Sequence, residues 1–334
     1  MIPYKTKILS IVIASAFSST AFAQKPAPVV APVVVAPVVA PVVVAPVVAP
    51  VVVAPALPPY KGETFDKIKS SGKLIIGYRT SSVPISFIDA NKKPIGYGID
   101  ICMAIVGKIK DNLSMPNLAV EFVEVNGTTR IPFTVAGKVD LECGSTTNNA
   151  SRRKDVEFSV PYYIAGIRIL TKTNSGIQSL NDLRGKKVAV GDKTSSIPLL
   201  EKLSKERDMK ISLVVEKDGA VAIEAVRSGK ADAFVWDDLL LFGERSKLSD
   251  PQNYAVVGDF LSVEPLAIMM RKDDPKFKNF VDKEITSMIT SGVINVYYRK
   301  WFESPIPPRN QNLNIPQSPL LKDVFRMPTS IVGN

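Results

Sequence analysis

Between residues 73 and 236, short apolar segments alternate with amphipathic segments, and this alternation restricts the fold more than any other feature of the sequence. Each apolar segment has the length of a buried strand, and the segments between them carry apolar residues at helical spacing. In the first such helix Ile105 and Ile109 share one face, with Asp100 as the predicted cap and Lys110 near the end. Strands that are repeatedly followed by helices predict an α/β fold with a mostly parallel sheet.

The alternation occurs in two series, which predicts two structural units. The first series has strands at 73–78, 119–125 and 138–143 and a short helix at about 128–136, and the second has strands at 187–190, 211–215 and 231–236 and helices at about 197–206 and 220–228. A crossing strand at 164–171 separates the series, and a returning segment at 263–271 leads to two final helices. We therefore assign residues 61–163 and 261–334 to a first lobe and residues 164–260 to a second.

The first 23 residues have the pattern of a secretory signal peptide. Lys5 and Lys7 precede an apolar run at residues 8–17, and small residues around Phe22 fit cleavage before Gln24. The apolar run is too short to cross a bilayer, and no cysteine follows the predicted cleavage site that could carry a lipid. We therefore expect a soluble periplasmic protein.

Residues 24–60 form a low-complexity segment in which Pro, Val and Ala repeat with a period of nine over most of its length. Proline at this density excludes an α-helix and a central β-strand, so we expect an extended, semi-rigid conformation. We interpret this segment as a tether or spacer. Docking on a partner or on the cell wall is the alternative.

The basic composition favours an anionic partner. Removal of the two lysines of the signal peptide lowers the formal net charge from +10 to +8. A protein with such an excess of positive charge attracts small anions. We do not expect a nucleic acid, because export argues against it and no basic run is interleaved with aromatic residues.

The chain has no histidine and only two cysteines, which excludes several kinds of site. Neither Cys102 nor Cys143 has a metal-ligand spacing, so we predict no metal and no cofactor, and catalysis by Ser-His or Cys-His pairs lacks its base. The oxidising periplasm favours a disulfide between Cys102 and Cys143. Two buried free thiols are the alternative.

A polar loop at residues 144–152 follows the strand that ends at Cys143. The backbone N–H groups of this loop and the hydroxyls of Ser145 and Thr147 can donate to carboxylate oxygens, and the planar guanidinium of Arg152 matches a carboxylate with two parallel hydrogen bonds. The loop therefore has the composition of an anion site. An ordinary surface turn, which uses the same residue types, is the alternative.

Further polar groups follow other strands or begin helices. They are Arg79, Arg130 on the short helix, the loop residues Thr194, Ser195 and Ser196, and the acids Asp237 and Asp238. An acidic amino acid carries two carboxylates and one ammonium, and three arginines with one acid match that set of charges. Solvated surface charges, and for the two acids a turn or a helix cap, are the alternatives.

At this point the chain resembles a known family, the solute-binding proteins of polar amino acid ABC transporters, and in particular the periplasmic glutamate/aspartate-binding members. The resemblance extends over about residues 65–312. It is carried by residues 77–84, 142–149, 170–172, 243–245, 271–275, 301–302 and 305–308.

The resemblance implies a two-lobed periplasmic-binding-protein fold of type II, in which two parallel-rich sheets are joined by two crossover strands and the lobes close on the ligand as a hinge. It matches Arg79 and Arg130 to the side-chain carboxylate, Ser145, Thr147, Arg152 and residues 194–196 to the α-carboxylate, and Asp237 to the ammonium. We therefore expect a monomer that captures L-glutamate or L-aspartate and delivers it to an ABC permease of the inner membrane. No reaction is expected.

Three alternatives remain open at this point: a dehydratase-like enzyme on the same scaffold, a binding protein for another polar amino acid, and a sensor or wall-attached module. The chain also departs from the family at three positions. Gly127 and Gly219 stand where the family has serine and histidine, and Lys193 replaces a loop glycine. We expect the two glycines to leave a roomier pocket that discriminates less between glutamate and aspartate.

Overall fold

The computed structural model describes residues 60–331. The predicted signal peptide and all of the predicted tether except Tyr60 lie outside these described residues, as do residues 332–334. Within the described range, no helix combines the length and the apolar character needed to cross a membrane.

Strands and helices alternate along the described chain, as the sequence predicts. The strands are β1 (Lys73–Tyr78), β2 (Ser81–Ser82), β3 (Ser86–Ile88), β4 (Pro94–Ile95), β5 (Ala119–Glu124), β6 (Leu141–Glu142), β7 (Val156–Phe158), β8 (Tyr163–Lys172), β9 (Lys187–Gly191), β10 (Ser212–Glu216), β11 (Ala233–Asp237), β12 (Tyr254–Val257), β13 (Val263–Leu266), β14 (Met269–Arg271), β15 (Pro305–Ile306) and β16 (Gln311–Asn312). The helices are α1 (Thr64–Ser71), α2 (Tyr97–Leu113), α3 (Arg130–Val135), α4 (Ser196–Glu206), α5 (Gly219–Arg227), α6 (Asp238–Ser246), α7 (Pro275–Thr290), α8 (Val293–Phe302) and α9 (Pro319–Arg326). Short 3-10 helices occur at Arg152–Lys154, Leu180–Leu183 and Pro251–Asn253.

The first sheet has the strand order β5-β1-β6-β14-β7. Strands β5, β1 and β6 run parallel, and β14 lies antiparallel to both β6 and β7. Because parallel strands end at the same edge of a sheet, the segments that follow β1 and β6 lie side by side. Those segments carry Arg79 and the polar loop at residues 144–152.

The second sheet has the order β10-β9-β11-β8-β12, and β13 also pairs with β8. Strands β10, β9 and β11 are parallel, whereas β8 is antiparallel to β11, β12 and β13. The same geometry therefore brings the ends of β9 and β11 together. The first leads to Thr194 and the second ends at Asp237.

The chain crosses between the two sheets twice. Strand β7 belongs to the first sheet and β8 to the second, and the return runs from β13 beside β8 to β14 in the first sheet. The predicted arrangement of two parallel-rich sheets joined by two crossover segments is thereby confirmed. The predicted boundaries of the lobes remain a prediction.

Aromatic rings fill the region where the final helices return to the crossover. The ring of Tyr163 at the start of β8 stacks on Phe302 of α8 at 5.1 Å, and Tyr298 stacks on Phe302 at 4.3 Å. Tyr97 packs edge-on against Phe302 at 5.2 Å, and its hydroxyl donates to the carbonyl of Tyr162. Burial of such large rings stabilises the packing of α8 against α2 and against the start of β8.

The two cysteines form a disulfide in the structure. Cys102 lies in α2 and Cys143 directly after β6, and their Cα atoms are 6.3 Å apart. Both residues are fully buried. The bond therefore joins a helix to the strand that delivers the polar loop.

Several local predictions need correction. Helix α2 begins at Tyr97, with Gly96 at the N-cap position, so Asp100 lies inside the helix. Its carboxylate accepts from Lys300 Nζ at 2.6 Å and from Trp301 Nε1 at 2.7 Å, so it attaches α8 instead of capping α2. Strand β6 is shorter than predicted, because the carboxylate of the preceding Asp140 accepts from the backbone of β1 in place of a ladder hydrogen bond.

Candidate functional site

A small cavity lies between the two sheets and collects the predicted site residues. Its volume is about 10 Å³, and it is lined by Arg79, Arg130, Ser145, Thr147, Arg152, Thr194, Ser195, Trp236 and Asp237. Every residue predicted for the site except Ser196 is present. The lining comes from segments that follow strands or begin helices, which is why residues far apart in the sequence meet there.

The first sheet supplies all three arginines of the cavity. Arg79 follows β1 and Arg130 begins α3, and only 7% and 4% of their respective surfaces are exposed. Arg152, the last residue of the polar loop, begins a 3-10 helix and is half-buried. The interpretation of these arginines as solvated surface charges is therefore wrong for Arg79 and Arg130.

Burial of these guanidinium groups has an electrostatic cost. Burial lowers the pKa of Arg79 and Arg152, and it holds the pKa of Arg130 well below its ordinary value, with the charges of Arg152 and Arg79 acting in the same direction. The carboxylates of Glu142 and Asp237 oppose this effect on the pKa of Arg130. Since arginine stays protonated in proteins, the cavity favours an added negative charge.

Glu142 is a second acid close to the arginines. It is fully buried, and neither of its carboxylate oxygens has a hydrogen-bond partner among the described residues. A Cβ atom on Gly144 would lie 2.3 Å from Glu142 Oε1 and 2.8 Å from Arg79 Cγ, so glycine is needed where the two side chains pass. Glu142 does not line the cavity but adds negative charge behind Arg79.

The polar loop is held by both neighbouring segments. Arg152 donates through Nη1 to the carbonyl of Thr147 at 2.9 Å, which curves the loop back on itself. The backbone N–H of Asn148 donates to the carbonyl of Pro265 at 2.8 Å, and Tyr162 donates its hydroxyl to the carbonyl of Gly144. With these contacts the hydroxyls of Ser145 and Thr147 are held in the cavity.

The second sheet supplies hydroxyls at the beginning of α4. Thr194 Oγ1 donates to the carbonyl of Gly191 at 2.7 Å, and Ser195 occupies the N-cap position of the helix. The first N–H groups of a helix attract anions, so this end of α4 fits a carboxylate. Ser196 is fully buried inside the first turn, with no hydrogen-bond partner for Oγ among the described residues, and it does not line the cavity.

Asp237 ends β11 and is the only acid among the described residues that line the cavity. It precedes α6, yet its side chain makes no capping hydrogen bond, so the cap interpretation is wrong. Burial, followed by the charges of Glu264 and Asp238, holds the pKa of Asp237 well above its ordinary value, and Arg152 lowers it in part. A cation beside Asp237 would favour its ionised form.

The neighbouring acid, Asp238, forms hydrogen bonds with the backbone and does not line the cavity. The carboxylate of Asp238 accepts from the backbone N–H of Gly166 at 3.3 Å and of Leu239 at 2.8 Å.

Within residues 60–331, no group of three or more His, Cys, Asp or Glu side chains is placed to hold a metal ion.

The two sides of the cavity also touch each other directly. Arg130 and Arg152 both donate through Nη2 to the carbonyl oxygen of Lys193, at 3.0 and 3.3 Å. Lys193 has a φ of 55°, which is the left-handed region that favours glycine. Beside them, Thr128 donates to the carboxylate of Asp192 at 2.9 Å.

The expectation of a roomier pocket is wrong. A Cβ atom on Gly219 would lie 2.1 Å from Trp236 Cζ3, and one on Gly127 would lie 2.2 Å from the carbonyl oxygen of Asp192. The space that larger side chains would occupy is therefore filled by an indole ring and by the second-sheet loop. Sequence reasoning missed Trp236, and its only signal was its place before Asp237 at a strand end.

The fold and the cavity together define a class of protein. Two parallel-rich sheets, two crossover segments and a polar cavity between the sheets are the architecture of two-lobed, type II periplasmic solute-binding proteins. The family model for bacterial extracellular solute-binding proteins, family 3, matches residues 74–304, and the chain belongs to this family.

Similar proteins support this membership. The chain is 41% identical over 270 residues to the glutamate/aspartate import solute-binding protein of Salmonella typhimurium, covering 81% of this chain and 89% of the relative. It is 41% identical over 267 residues to the L-glutamate/L-aspartate-binding protein of Pseudomonas aeruginosa, covering 80% and 88%.

A solved structure with the same fold is an ancestral amino acid-binding protein that is a precursor of cyclohexadienyl dehydratase. It has a TM-score of 0.62 and 33% identity, and the match covers 72% of this chain and 99% of that one. All three similar proteins are described as binding proteins. The chain is accordingly a solute-binding protein and not an enzyme.

Proposed function

We propose that this protein captures L-glutamate or L-aspartate in the periplasm and delivers it to an ABC permease of the inner membrane. The predicted signal peptide would export it, and the mature chain would act as a monomer. Residues 61–163 and 261–334 would form one lobe and residues 164–260 the other, with the ligand held between them.

The observation that carries this proposal is the meeting of three arginines and one carboxylate in a single cavity. Arg79 and Arg130 would hold the side-chain carboxylate of the ligand. Arg152, with the hydroxyls of the polar loop and the beginning of α4, would hold the α-carboxylate, and Asp237 the ammonium. The names of the relatives from Salmonella and Pseudomonas support the same ligands.

The charges of the cavity predict the direction of its specificity. A neutral amide in place of the side-chain carboxylate would leave Arg79 and Arg130 with less compensation for their burial. A lost hydrogen bond to a charged group costs about 1.5–3 kcal/mol, so glutamine and asparagine should bind at least tenfold more weakly than their acids.

A thermal-shift screen of the chain from Gln24 against the twenty amino acids tests the proposal. A ligand at 100 times its Kd that binds only the folded state stabilises it by about 2.7 kcal/mol, so glutamate or aspartate should give the largest shift. Calorimetry then gives the Kd for each acid and its amide. A large shift from another class of amino acid, with none from the two acids, would overturn the proposal.

A further inference from the structure

The backbone carbonyl of Lys193 accepts hydrogen bonds from two arginines of the cavity. Arg130 donates to this oxygen through Nη2 at 3.0 Å, and Arg152 donates through Nη2 at 3.3 Å. A carbonyl oxygen has two lone pairs and can accept both hydrogen bonds. Lys193 lies in the loop after β9, so one acceptor of the second-sheet side holds two cations of the first-sheet side.

The shared acceptor opposes a repulsion between the two guanidinium groups. Burial, followed by the charge of Arg152, lowers the pKa of Arg130, so the two cations are close enough to repel each other. The partial negative charge of a carbonyl oxygen between them reduces this repulsion and fixes one nitrogen of each group. Arg152 is also held through Nη1 by the carbonyl of Thr147 at 2.9 Å. Both guanidinium planes are thereby restrained beside the cavity.

The direction of the carbonyl depends on an uncommon backbone conformation. Lys193 has a φ of 55°, in the left-handed region that glycine adopts freely and that β-branched residues disfavour most. Lys193 is exposed to solvent, so packing of its side chain does not account for the conformation. The conformation instead coincides with a carbonyl that points at both arginines.

Two further contacts hold this loop against the first-sheet side. Thr128 Oγ1 donates to Asp192 Oδ2 at 2.9 Å. A Cβ atom on Gly127 would lie 2.2 Å from the carbonyl oxygen of Asp192, so glycine permits the close approach. In a protein whose lobes close as a hinge, contacts of this kind form as the lobes come together.

We propose that Lys193 is a positioning residue, whose backbone carbonyl aligns the guanidinium groups of Arg130 and Arg152 for the two carboxylates of the ligand as the lobes close. This inference rests on the proposed function. It links closure to recognition, because the two arginines receive their common acceptor only from the opposite lobe. The exposed side chain of Lys193 has no part in it.

Two substitutions at position 193 test the direction of the carbonyl in the chain from Gln24. Lys193→Val disfavours the left-handed conformation, so the carbonyl should turn away and calorimetry should show glutamate and aspartate bound about tenfold or more weakly. Lys193→Gly adopts the same φ without strain and should bind both acids about fivefold more tightly. Both variants remove the same positive charge, so opposite effects on affinity cannot come from charge.

Lys210 provides the matched control. It is also an exposed lysine in the left-handed region, with a φ of 53°, and it does not line the cavity. Lys210→Val and Lys210→Gly should change the melting temperature of the ligand-free protein and leave its affinity for the acids unchanged. The same melting measurement on the two Lys193 variants separates damage to the fold from loss of binding.

A double-mutant cycle tests whether the effect passes through the arginine. In an Arg130→Met background one of the two donors to the carbonyl is absent, so Lys193→Val should weaken glutamate by a smaller factor than in the unmodified protein. Equal factors in both backgrounds would mean that Lys193 acts independently of Arg130.

The outcomes distinguish this inference from the proposed function. If Lys193→Val loses no acid affinity, if Lys193→Gly gains none, or if the cycle shows no coupling, the inference is wrong and the proposed function stands. A gain of affinity in Lys193→Val would mean that the carbonyl competes with the ligand for the arginines. If no acidic amino acid binds the unmodified chain, the proposed function itself fails. Lys193→Gly decides the question even if Lys193→Val does not fold.

Discussion

The two sides of the cavity differ in charge and in the way they are built. The first-sheet side carries Arg79, Arg130 and Arg152 on three separate segments, and the pKa of each is lowered by burial. The second-sheet side carries one acid, Asp237, whose pKa is raised by burial, together with hydroxyls and the ring of Trp236. On each side, burial disfavours the charged form of the ionisable side chains.

Under the proposed function, this difference would let one cavity select a zwitterion with an extra carboxylate. Three cations on one side would attract two carboxylates and the acid on the other side the ammonium, so a ligand that spans the cavity would compensate both sides at once. The direct hydrogen bonds from Arg130 and Arg152 to the carbonyl of Lys193 bring the sides within reach of the same small molecule. The following predictions test this division, from the largest expected effect on affinity to the smallest.

Arg130→Met should have the largest effect. Loss of a buried guanidinium that pairs with a carboxylate costs about 3 kcal/mol or more, so glutamate affinity should fall a hundredfold or more by calorimetry. The ligand-free protein should not lose stability to the same extent, because Nε of Arg130 is buried without a partner and Arg152 and Arg79 repel it.

Arg326→Met is the matched control, since it makes the same change of charge on the surface. Within residues 60–331, Arg326 pairs with Asp323 of its own helix in an exposed ion pair, which contributes little to stability. Its glutamate affinity should equal that of the unmodified protein. Equal losses in both variants would mean that net charge, and not the cavity, governs binding.

Asp237→Asn tests the acidic side and should weaken glutamate by about 2 kcal/mol, or thirtyfold. The matched control is Asp238→Asn, because that neighbouring acid accepts from backbone N–H groups and lies outside the cavity. Asp238→Asn should change stability more than affinity. If Asp237→Asn binds glutamate normally, the ammonium has another partner.

The raised pKa of Asp237 also predicts a pH dependence. The ligand ammonium pairs with the ionised carboxylate, so affinity should fall as the pH falls through the pKa of Asp237, above the ordinary value of 3.8. For the free protein the sign is opposite: a raised folded pKa stabilises below the unfolded pKa, and this stability is lost as the pH rises through the folded pKa. Calorimetry of Asp237→Asn over the same pH range measures the contribution of the ligand's own titration to the change in affinity. This contribution is then subtracted from the change measured for the unmodified protein.

Gly127→Ala tests whether the two sides must approach closely. The new Cβ atom would lie 2.2 Å from the carbonyl oxygen of Asp192, so the second-sheet loop must shift away from the arginines. Overpacking of this kind costs about 1–3 kcal/mol, and we expect about a tenfold loss of glutamate affinity. Gly107→Ala, which meets open space, should bind normally. Full affinity in Gly127→Ala would show that the loop yields without cost.

The disulfide should matter least for affinity and most for the stability of the first-sheet side. Cys102 and Cys143 are separated by 41 residues, and a bond across a loop of that size typically stabilises by about 2–4 kcal/mol. Cys102→Ser with Cys143→Ser should lower the midpoint of urea unfolding accordingly, with glutamate affinity nearly unchanged. A large loss of affinity would show that the bond positions the polar loop.

The sequence by itself determined the order of strands and helices and most of the charged residues of the site. Apolar segments of strand length followed by helical spacing are a local property, so both series were found with boundaries within a few residues. Arg79, Arg130, Arg152 and Asp237 were also found, because they follow strands or begin helices next to polar residues. Ser196 was predicted for the site but does not line the cavity. The direction in which its side chain points from the first turn of α4 depends on the folded chain, so no local sequence pattern shows it.

Only the tertiary structure decided what fills the cavity. The sequence shows glycine at positions 127 and 219, but it does not show which distant atoms occupy the space beside these glycines. Trp236 and the carbonyl of Asp192 do so through contacts between the two sheets, and the carbonyl of Lys193 meets two arginines in the same way. Packing is set by all neighbours together, because interiors are close-packed, so the shape of the pocket follows from the folded chain and not from any one segment.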